Sequence, residues 1–292
     1  MHKVGCSFIV RLARSLPDKL YLSLKYYKVF GKFPNWKNPK TFSEKLQWLK
    51  LYDRRPEYTT MVDKFAVKKY VADIIGEEYI IPTLGVWEKP EEIEWERLPN
   101  QFVLKTTHGG GGDGVVICKD KKSFDMQNAI CRLKENLKTD LYIVWREWPY
   151  KNVPKRIIAE VLINSNSNND ELIDYKFFCF HGEPECCQVI SGRHSKMCID
   201  FFDKDWNHLP FHEPKIYPYA DRKPEKPRHF EQMWKAAAKL SEGKAFSRID
   251  FYSVYDKVFF SEITFFPTSG MGGFEPEEWD DIFGKKLSLP QT

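Results

Sequence analysis

Apolar and polar positions recur with two different periods along this 292-residue chain, and the change of period divides it. Up to about residue 80 the spacing is helical. Leu16, Leu20, Leu24 and Tyr27 share one face of a helix predicted over residues 7–31 and closed by Gly31, with Arg14, Lys25 and Lys28 off that stripe. Phe33-Pro34-Asn35-Trp36-Lys37-Asn38-Pro39-Lys40 reads as a turn-rich connector. Thr41-Phe42-Ser43-Glu44 then opens a second helix reaching about Tyr52, with Thr41 and Glu44 at capping-box spacing. A third helix is predicted over residues 58–75, ending at Gly76, and residues 80–87 form a short strand or strand pair.

Beyond residue 100 the period shortens to two. Strands are predicted over 102–105, 115–118, 156–163, 172–180 and 185–191, with a helix over 123–137 and a polar loop over 164–170. Residues 199–207 suggest another hairpin, and five prolines between 210 and 227 keep that stretch extended. A helix over 230–240 and a hairpin over 248–264 complete the pattern. The class is therefore α+β with antiparallel sheets. It divides into a helical N-terminal segment (1–80), a first lobe (81–155) and a second lobe (156–292).

Composition changes this picture little. With 42% hydrophobic and 29% charged residues the chain is ordinary globular protein, and no apolar run nears the roughly 18 residues of a membrane span. Arg11 and Arg14 interrupt the apolar start, so no signal peptide is read. The first helix suits packing on the rest of the protein or weak peripheral contact with a membrane surface. A net charge of +4 is too mild to argue for nucleic acid but leaves cations for a phosphate ligand. The seven cysteines are odd in number and lack a C-x-x-C pair, which predicts reduced, buried, inert thiols in a cytoplasmic protein.

Three features carry chemistry. In Lys105-Thr106-Thr107-His108-Gly109-Gly110-Gly111-Gly112-Asp113-Gly114, four successive glycines lie between two strands. Backbone without Cβ atoms approaches a ligand closely and turns its N–H groups inward, and Lys105 adds a charge for a phosphate oxygen. The order excludes a Walker A loop and a Rossmann fingerprint, and a ligand-free floppy hairpin is the alternative. In the last hairpin, a three-residue turn at Tyr255-Asp256-Lys257 puts Asp250 opposite Glu262 and Arg248 opposite Thr264, all on one face. Carboxylates about 4.5–5.5 Å apart at Cβ repel unless a cation or proton lies between them, and Mg²⁺ suits such oxygen-only ligation. The alternative is that Arg248 neutralises Asp250 in an ion pair with Glu262 at the rim. Glu160 in an apolar strand, and Lys176 in an aromatic one, are charges that burial makes costly unless a partner or ligand is present.

The order of these parts resembles the ATP-grasp superfamily and, more closely, the TupA-like ATP-grasp family. The resemblance rests on Asn38-Pro39-Lys40-Thr41-Phe42-Ser43-Glu44-Lys45, Asp63-Lys64-Phe65-Ala66-Val67 and residues 98–111. It continues through Ile157-Ile158-Ala159-Glu160, Asp174-Tyr175-Lys176-Phe177, Arg248-Ile249-Asp250-Phe251-Tyr252 and Ser261-Glu262-Ile263-Thr264-Phe265. It implies an ATP-grasp fold, with two α+β lobes clasping ATP and two Mg²⁺ ions. It further implies that Lys64, Lys105, His108 and Gly109 to Gly112 contact or cover phosphates, that Glu160, Val161 and Leu162 hold adenine, and that Lys176 reaches the nucleotide. Asp250 and Glu262, with Thr264 as accessory, would bind metal, and Arg248 would steady the transferring phosphoryl group. Thr264 departs from the Glu-x-Asn ending common in ATP-grasp metal sites, and the usual N-terminal Rossmann-like domain is not visible.

The activity implied is a carboxylate–amine ligase working through an acylphosphate, in bacterial cell-surface polysaccharide assembly. The acceptor would be a uronic acid or glycan, with an amine donor beside it, held near His181, Arg193, His194 and the aromatic 201–219 stretch. The alternatives are a glycosyltransferase using a nucleotide sugar, to which Asp203-Lys204-Asp205 would point, a small-molecule or sugar kinase, and a non-catalytic nucleotide-binding module. The resemblance places the protein in the cytoplasm, at the inner face of the membrane if the first helix makes contact there.

Overall fold

The computed structural model describes residues 15–110, 114–163, 172–192, 195–213 and 217–291. Residues 7–14 of the first predicted helix, Gly111, Gly112, Arg193 and His194 lie outside them. The first described helix, α1 (Asp18–Phe30), follows Pro17 and ends at Gly31, which takes the left-handed conformation with φ 69°. Helix α2 (Phe42–Tyr52) begins with the predicted capping box, in which Glu44 N–H donates to Thr41 Oγ1 at 3.2 Å.

The helix predicted over 58–75 is two helices, α3 (Glu57–Val62) and α4 (Val67–Ile75). Asp63 makes the break. Its Oδ1 accepts from the N–H groups of Phe65 (2.9 Å) and Ala66 (3.2 Å), bonds that compete with continued helix. Arg156 donates to the other Asp63 oxygen at 2.6 Å, tying the break to the first sheet.

That sheet has the order β1 (Thr83–Trp87), β4 (Ile157–Val161), β2 (Phe102–Thr106), β3 (Val115–Cys118), all antiparallel. Residues 157–161, grouped by sequence with the second lobe, thus pair with β1 and β2. Local alternation shows that a strand forms but not which neighbour it finds. Helix α5 (Met126–Leu137) buries Ala129 and Leu133 against this sheet and starts later than residue 123, capped by Asp125. A short helix α6 (Leu141–Trp145) follows, in a stretch not predicted as helix.

The second sheet runs β7 (Cys198–Phe202), β6 (Glu183–Ser191), β5 (Asp174–Phe180), β8 (Phe246–Val254), β9 (Lys257–Thr264), again antiparallel. The β5–β6 turn is His181-Gly182 alone, both at positive φ, so Pro184 lies inside β6 opposite Cys179 and not in the turn. Helix α7 (Phe230–Ser241) packs Phe230, Met233, Ala237 and Leu240 onto this sheet. Phe42, Leu46, Tyr58 and Val67 of the N-terminal helices enter the same core, as does Phe283 of α8 (Glu278–Lys286). Aromatic bulk fills this core, with Phe177, Phe178, Phe201, Phe202 and Phe251 fully buried. Of the described cysteines Cys118, Cys179, Cys186, Cys187 and Cys198 are buried and Cys131 is exposed, and all are free thiols. Among the described residues no helix is long and apolar enough to cross a membrane.

Candidate active site

The β8–β9 hairpin presents the predicted constellation by a different route. Its turn holds two residues, Tyr255 and Asp256, with Val254 opposite Lys257, one fewer than the sequence suggested. Taken alone, that would slip the whole register. A bulge at Ser261 restores it, so Asp250 still faces Glu262 and Arg248 still faces Thr264. The bulge has a packing reason. Without it Phe260 and Glu262 would share a face, whereas with it Phe260 is buried opposite Phe251 and Glu262 stands beside Asp250.

Arg248 gathers this face. Its guanidinium donates to Asp250 Oδ1 (2.8 Å) and Oδ2 (2.7 Å), to Glu262 Oε1 (3.1 Å) and to Thr264 Oγ1 (3.2 Å). The ion pair of Arg248 with Asp250, weighed above as the alternative to a metal site, is therefore present, and it includes Glu262. Lys176 on β5 lies opposite Asp250 in the sheet and also contacts its carboxylate. Asp174, two residues earlier on the same face, stands 3.8 Å from Lys176. Asp250 is fully enclosed, whereas the Glu262 side chain is 32% exposed. Burial alone would raise the Glu262 carboxyl, but Lys64, Lys176 and Arg248 hold it well below the ordinary carboxylate range.

Across the cleft lies a second cluster. Glu160 on β4 is buried and paired to Lys105 Nζ (2.7 Å) and Lys68 Nζ (2.5 Å). Burial alone would lower the Lys105 amine, but Glu160, with Tyr252 and Glu262 further away, holds it above its ordinary value. Lys64 joins the two clusters. Its backbone N–H donates to Thr107 O at 3.0 Å and its ammonium to Gly109 O at 2.5 Å, with Glu262 Oε2 3.7 Å away. The Asp63 turn is what aims Lys64 at the glycine loop. Lys64, Lys68, Lys105, Glu160, Ile81 and Ser261 line an open cleft of about 280 Å³ between the sheets.

The remaining expected residues fall as follows. Gly109 and Gly110 begin the loop beside Lys64. Val161 ends β4, half-exposed, with its N–H donated to Pro82 O, so that donor is already engaged, and Leu162 follows it. His108 is buried under the loop, and burial, with Lys155 and Lys64 near it, lowers its pKa to about 4. The unfolded chain takes up a proton near pH 6.5 that the folded chain refuses until about 4. Stability is thus complete above about 6.5 and falls through that window by about 3 kcal/mol. Urea midpoints from neutral pH down to about pH 4 check this, and a His108→Asn variant is expected to show a shallower decline.

The donor set suits a hard cation. Two carboxylates face each other, and among the described residues no group of three or more His, Cys, Asp or Glu is placed to hold a metal ion, here or elsewhere. Mg²⁺ takes one or two carboxylates and completes its shell with phosphate and water oxygens.

The sequence from residue 44 to residue 288 matches the family described as TupA-like ATPgrasp. The chain belongs to the TupA-like ATP-grasp family. No curated protein matches it. Among solved structures it is similar to the D-alanine–D-alanine ligase of Helicobacter pylori (15% identity, TM-score 0.45), covering 85% of this chain and 69% of that one. It is also similar to the D-alanine–D-alanine ligase of Bacillus anthracis (17% identity, TM-score 0.44), covering 73% of this chain and 58% of that one. A third likeness is the ATP-grasp ligase PsnB bound to a minimal precursor (10% identity, TM-score 0.41), covering 76% and 59%.

Sequence reasoning missed two residues that the structure brings into this candidate site. Lys68 sits four residues after Lys64, a spacing that was visible but reads as a solvated helix face. Asp174 alternates with Lys176 on one strand, which was equally visible. By contrast Asp203-Lys204-Asp205 closes a turn. Asp203 accepts from the N–H groups of Asp205 (2.9 Å) and Asn207 (2.8 Å) and from the Asn207 amide (2.9 Å). Those bonds engage both oxygens of the first aspartate.

Proposed function

We propose that the protein is an ATP- and Mg²⁺-dependent carboxylate–amine ligase acting through an acylphosphate. The observation that carries this reading is the pairing of Asp250 with Glu262 beneath Arg248, facing Lys64 and Lys105 beside the glycine loop. Asp250 and Glu262 would hold Mg²⁺, with Thr264 as accessory, and the bound ion supplies charge neutralisation for phosphate oxygens. Lys64, Lys68 and Lys105 would exchange carboxylate partners for phosphates. Arg248, held by three side chains on one sheet face, would steady the transferring phosphoryl group, and phosphoryl transfer depends chiefly on such positioning.

The proposed acceptor is the carboxylate of a uronic acid or glycan in cell-surface polysaccharide assembly, in the cytoplasm where ATP is available. Helix α1 leaves Leu20, Leu24 and Tyr27 exposed with Phe33 beside them, and a weak contact with the inner membrane face would use that stripe. The engagement of Asp203 in its own turn counts against the glycosyltransferase alternative.

The test is ADP release from ATP and Mg²⁺ with a panel of uronic acids and amino acids. Release that requires both a carboxylate and an amine is expected. Release without amine and with a stable phosphorylated product would identify a kinase, and nucleotide binding without turnover would identify a binding module.

A further inference from the structure

On the far side of Arg248 from the lysine cleft, the same sheet face continues into a second pocket. Phe178 lies opposite Arg248, two cross-strand pairs beyond Lys176 and Asp250, and forms part of its floor. The pocket measures about 230 Å³ and is open, with Ser43, Glu213, Thr268, Gly272 and Phe274 around it.

One wall is the turn that follows β9. Thr268, Ser269 and Gly270 are successive left-handed residues, at φ 45°, 57° and 62°. For residues other than glycine this conformation persists only where the surroundings impose it. Here buried side chains of α2 impose it. Gln47 donates to Ser269 O (3.1 Å) and Gly270 O (2.9 Å), and Lys50 donates to Ser269 O (2.7 Å) and Oγ (2.6 Å). The wall lies a few residues after the end of β9, the strand that carries Glu262 and Thr264.

Glu213 supplies the pocket's negative charge. Paired backbone bonds between His212 and Glu275 (3.0 and 2.8 Å) fix its place, and the Gln188 amide supports its carboxylate from β6. Burial raises its pKa, against the opposing pull of Arg248, the Gln188 amide and Lys176. A carboxylate in that position repels a second carboxylate and attracts an ammonium.

We propose that this pocket is the amine-donor subsite and that Glu213 selects a protonated primary amine, an assignment that rests on the ligase reading above. The ammonium passes one proton to Glu213 and the freed nitrogen attacks the acyl carbon. The C–N bond forms and the acyl C–O bond to phosphate breaks. The departing phosphate keeps that bonding pair and takes the second nitrogen-bound proton.

The experiment compares nucleophiles on the full chain with ATP, Mg²⁺ and the uronic acid panel. Hydroxylamine, neutral near pH 7, is set against ethanolamine and amino acids. Wild type is expected to prefer charged amines. Glu213→Gln is expected to lower the ratio of kcat/KM for charged amines over hydroxylamine by about 10- to 100-fold. Glu213→Asp is expected to keep most of that preference. Equal loss with both nucleophiles in Glu213→Gln, or no preference for charged amines in wild type, would overturn the pocket assignment and leave the ligase reading standing. Absence of any carboxylate-dependent hydroxamate from wild type would overturn the ligase reading and this assignment with it.

Discussion

Glu262→Gln is expected to lower ATP-dependent turnover about 10²- to 10³-fold, the loss typical when one electrostatic group is taken from a preorganised site. The exchange keeps size and shape and removes one negative charge. It leaves Arg248 with both bonds to Asp250, so the enclosed part of the cluster stays neutralised. The side chain is 32% exposed, so the fold is expected to survive, and an unchanged far-UV spectrum checks that. Asp250→Asn is a poorer probe of the same idea. Asp250 is fully buried and answers both Lys176 and Arg248, and removing one member of a buried pair costs about 3–5 kcal/mol. Its loss of activity would mix chemistry with unfolding. Measured kcat in Glu262→Gln close to wild type, at saturating ATP and Mg²⁺, would remove Glu262 from the metal site.

The hairpin shows how far sequence carries such a site. Alternation placed Arg248, Asp250, Glu262 and Thr264 on one face because apolar partners at Ile249, Phe251 and Ile263 require the other. It could not reveal the two-residue turn, since the shorter turn and the bulge at Ser261 cancel, and Phe259-Phe260-Ser261-Glu262 reads alike in either register. The break at Asp63 was hidden for a related reason. Met61, Val62, Val67 and Val71 are all buried and keep a near-helical period through it, so nothing in the apolar pattern marks the turn that aims Lys64. Glu213 was illegible because its setting depends on His212 meeting Glu275, a contact across more than sixty residues in a proline-rich segment with no period. What the sequence conveys well is which residues must share a face. Which faces then meet is decided by tertiary pairing, as with β4 joining the first sheet.

The largest stability effect is expected at Glu160→Gln. Two lysines converge on that one buried carboxylate, and Gln removes the counter-charge paired to both. The cost is about 3 kcal/mol, the lower end for a broken buried pair, because the Lys68 and Lys105 side chains are 13% and 18% exposed and gain some water. At roughly 2–4 °C per kcal/mol, Tm is expected to fall by about 10 °C. Burial alone would raise the Glu160 carboxyl, but Lys105 and Lys68 hold it below its ordinary value of 4.5. The wild-type advantage is therefore full above that value and is lost as pH falls through the depressed one, so the two proteins should converge in acid. Nucleotide supplies the decisive arm. If Lys68 and Lys105 face phosphates, ATP with Mg²⁺ provides the missing charge and should raise Tm more in Glu160→Gln than in wild type, since a ligand stabilises in proportion to its affinity for the folded state. An unchanged Tm in the variant would show that the triad is not a stabilising unit. An equal or smaller ATP-induced rise would show that these lysines do not meet the nucleotide.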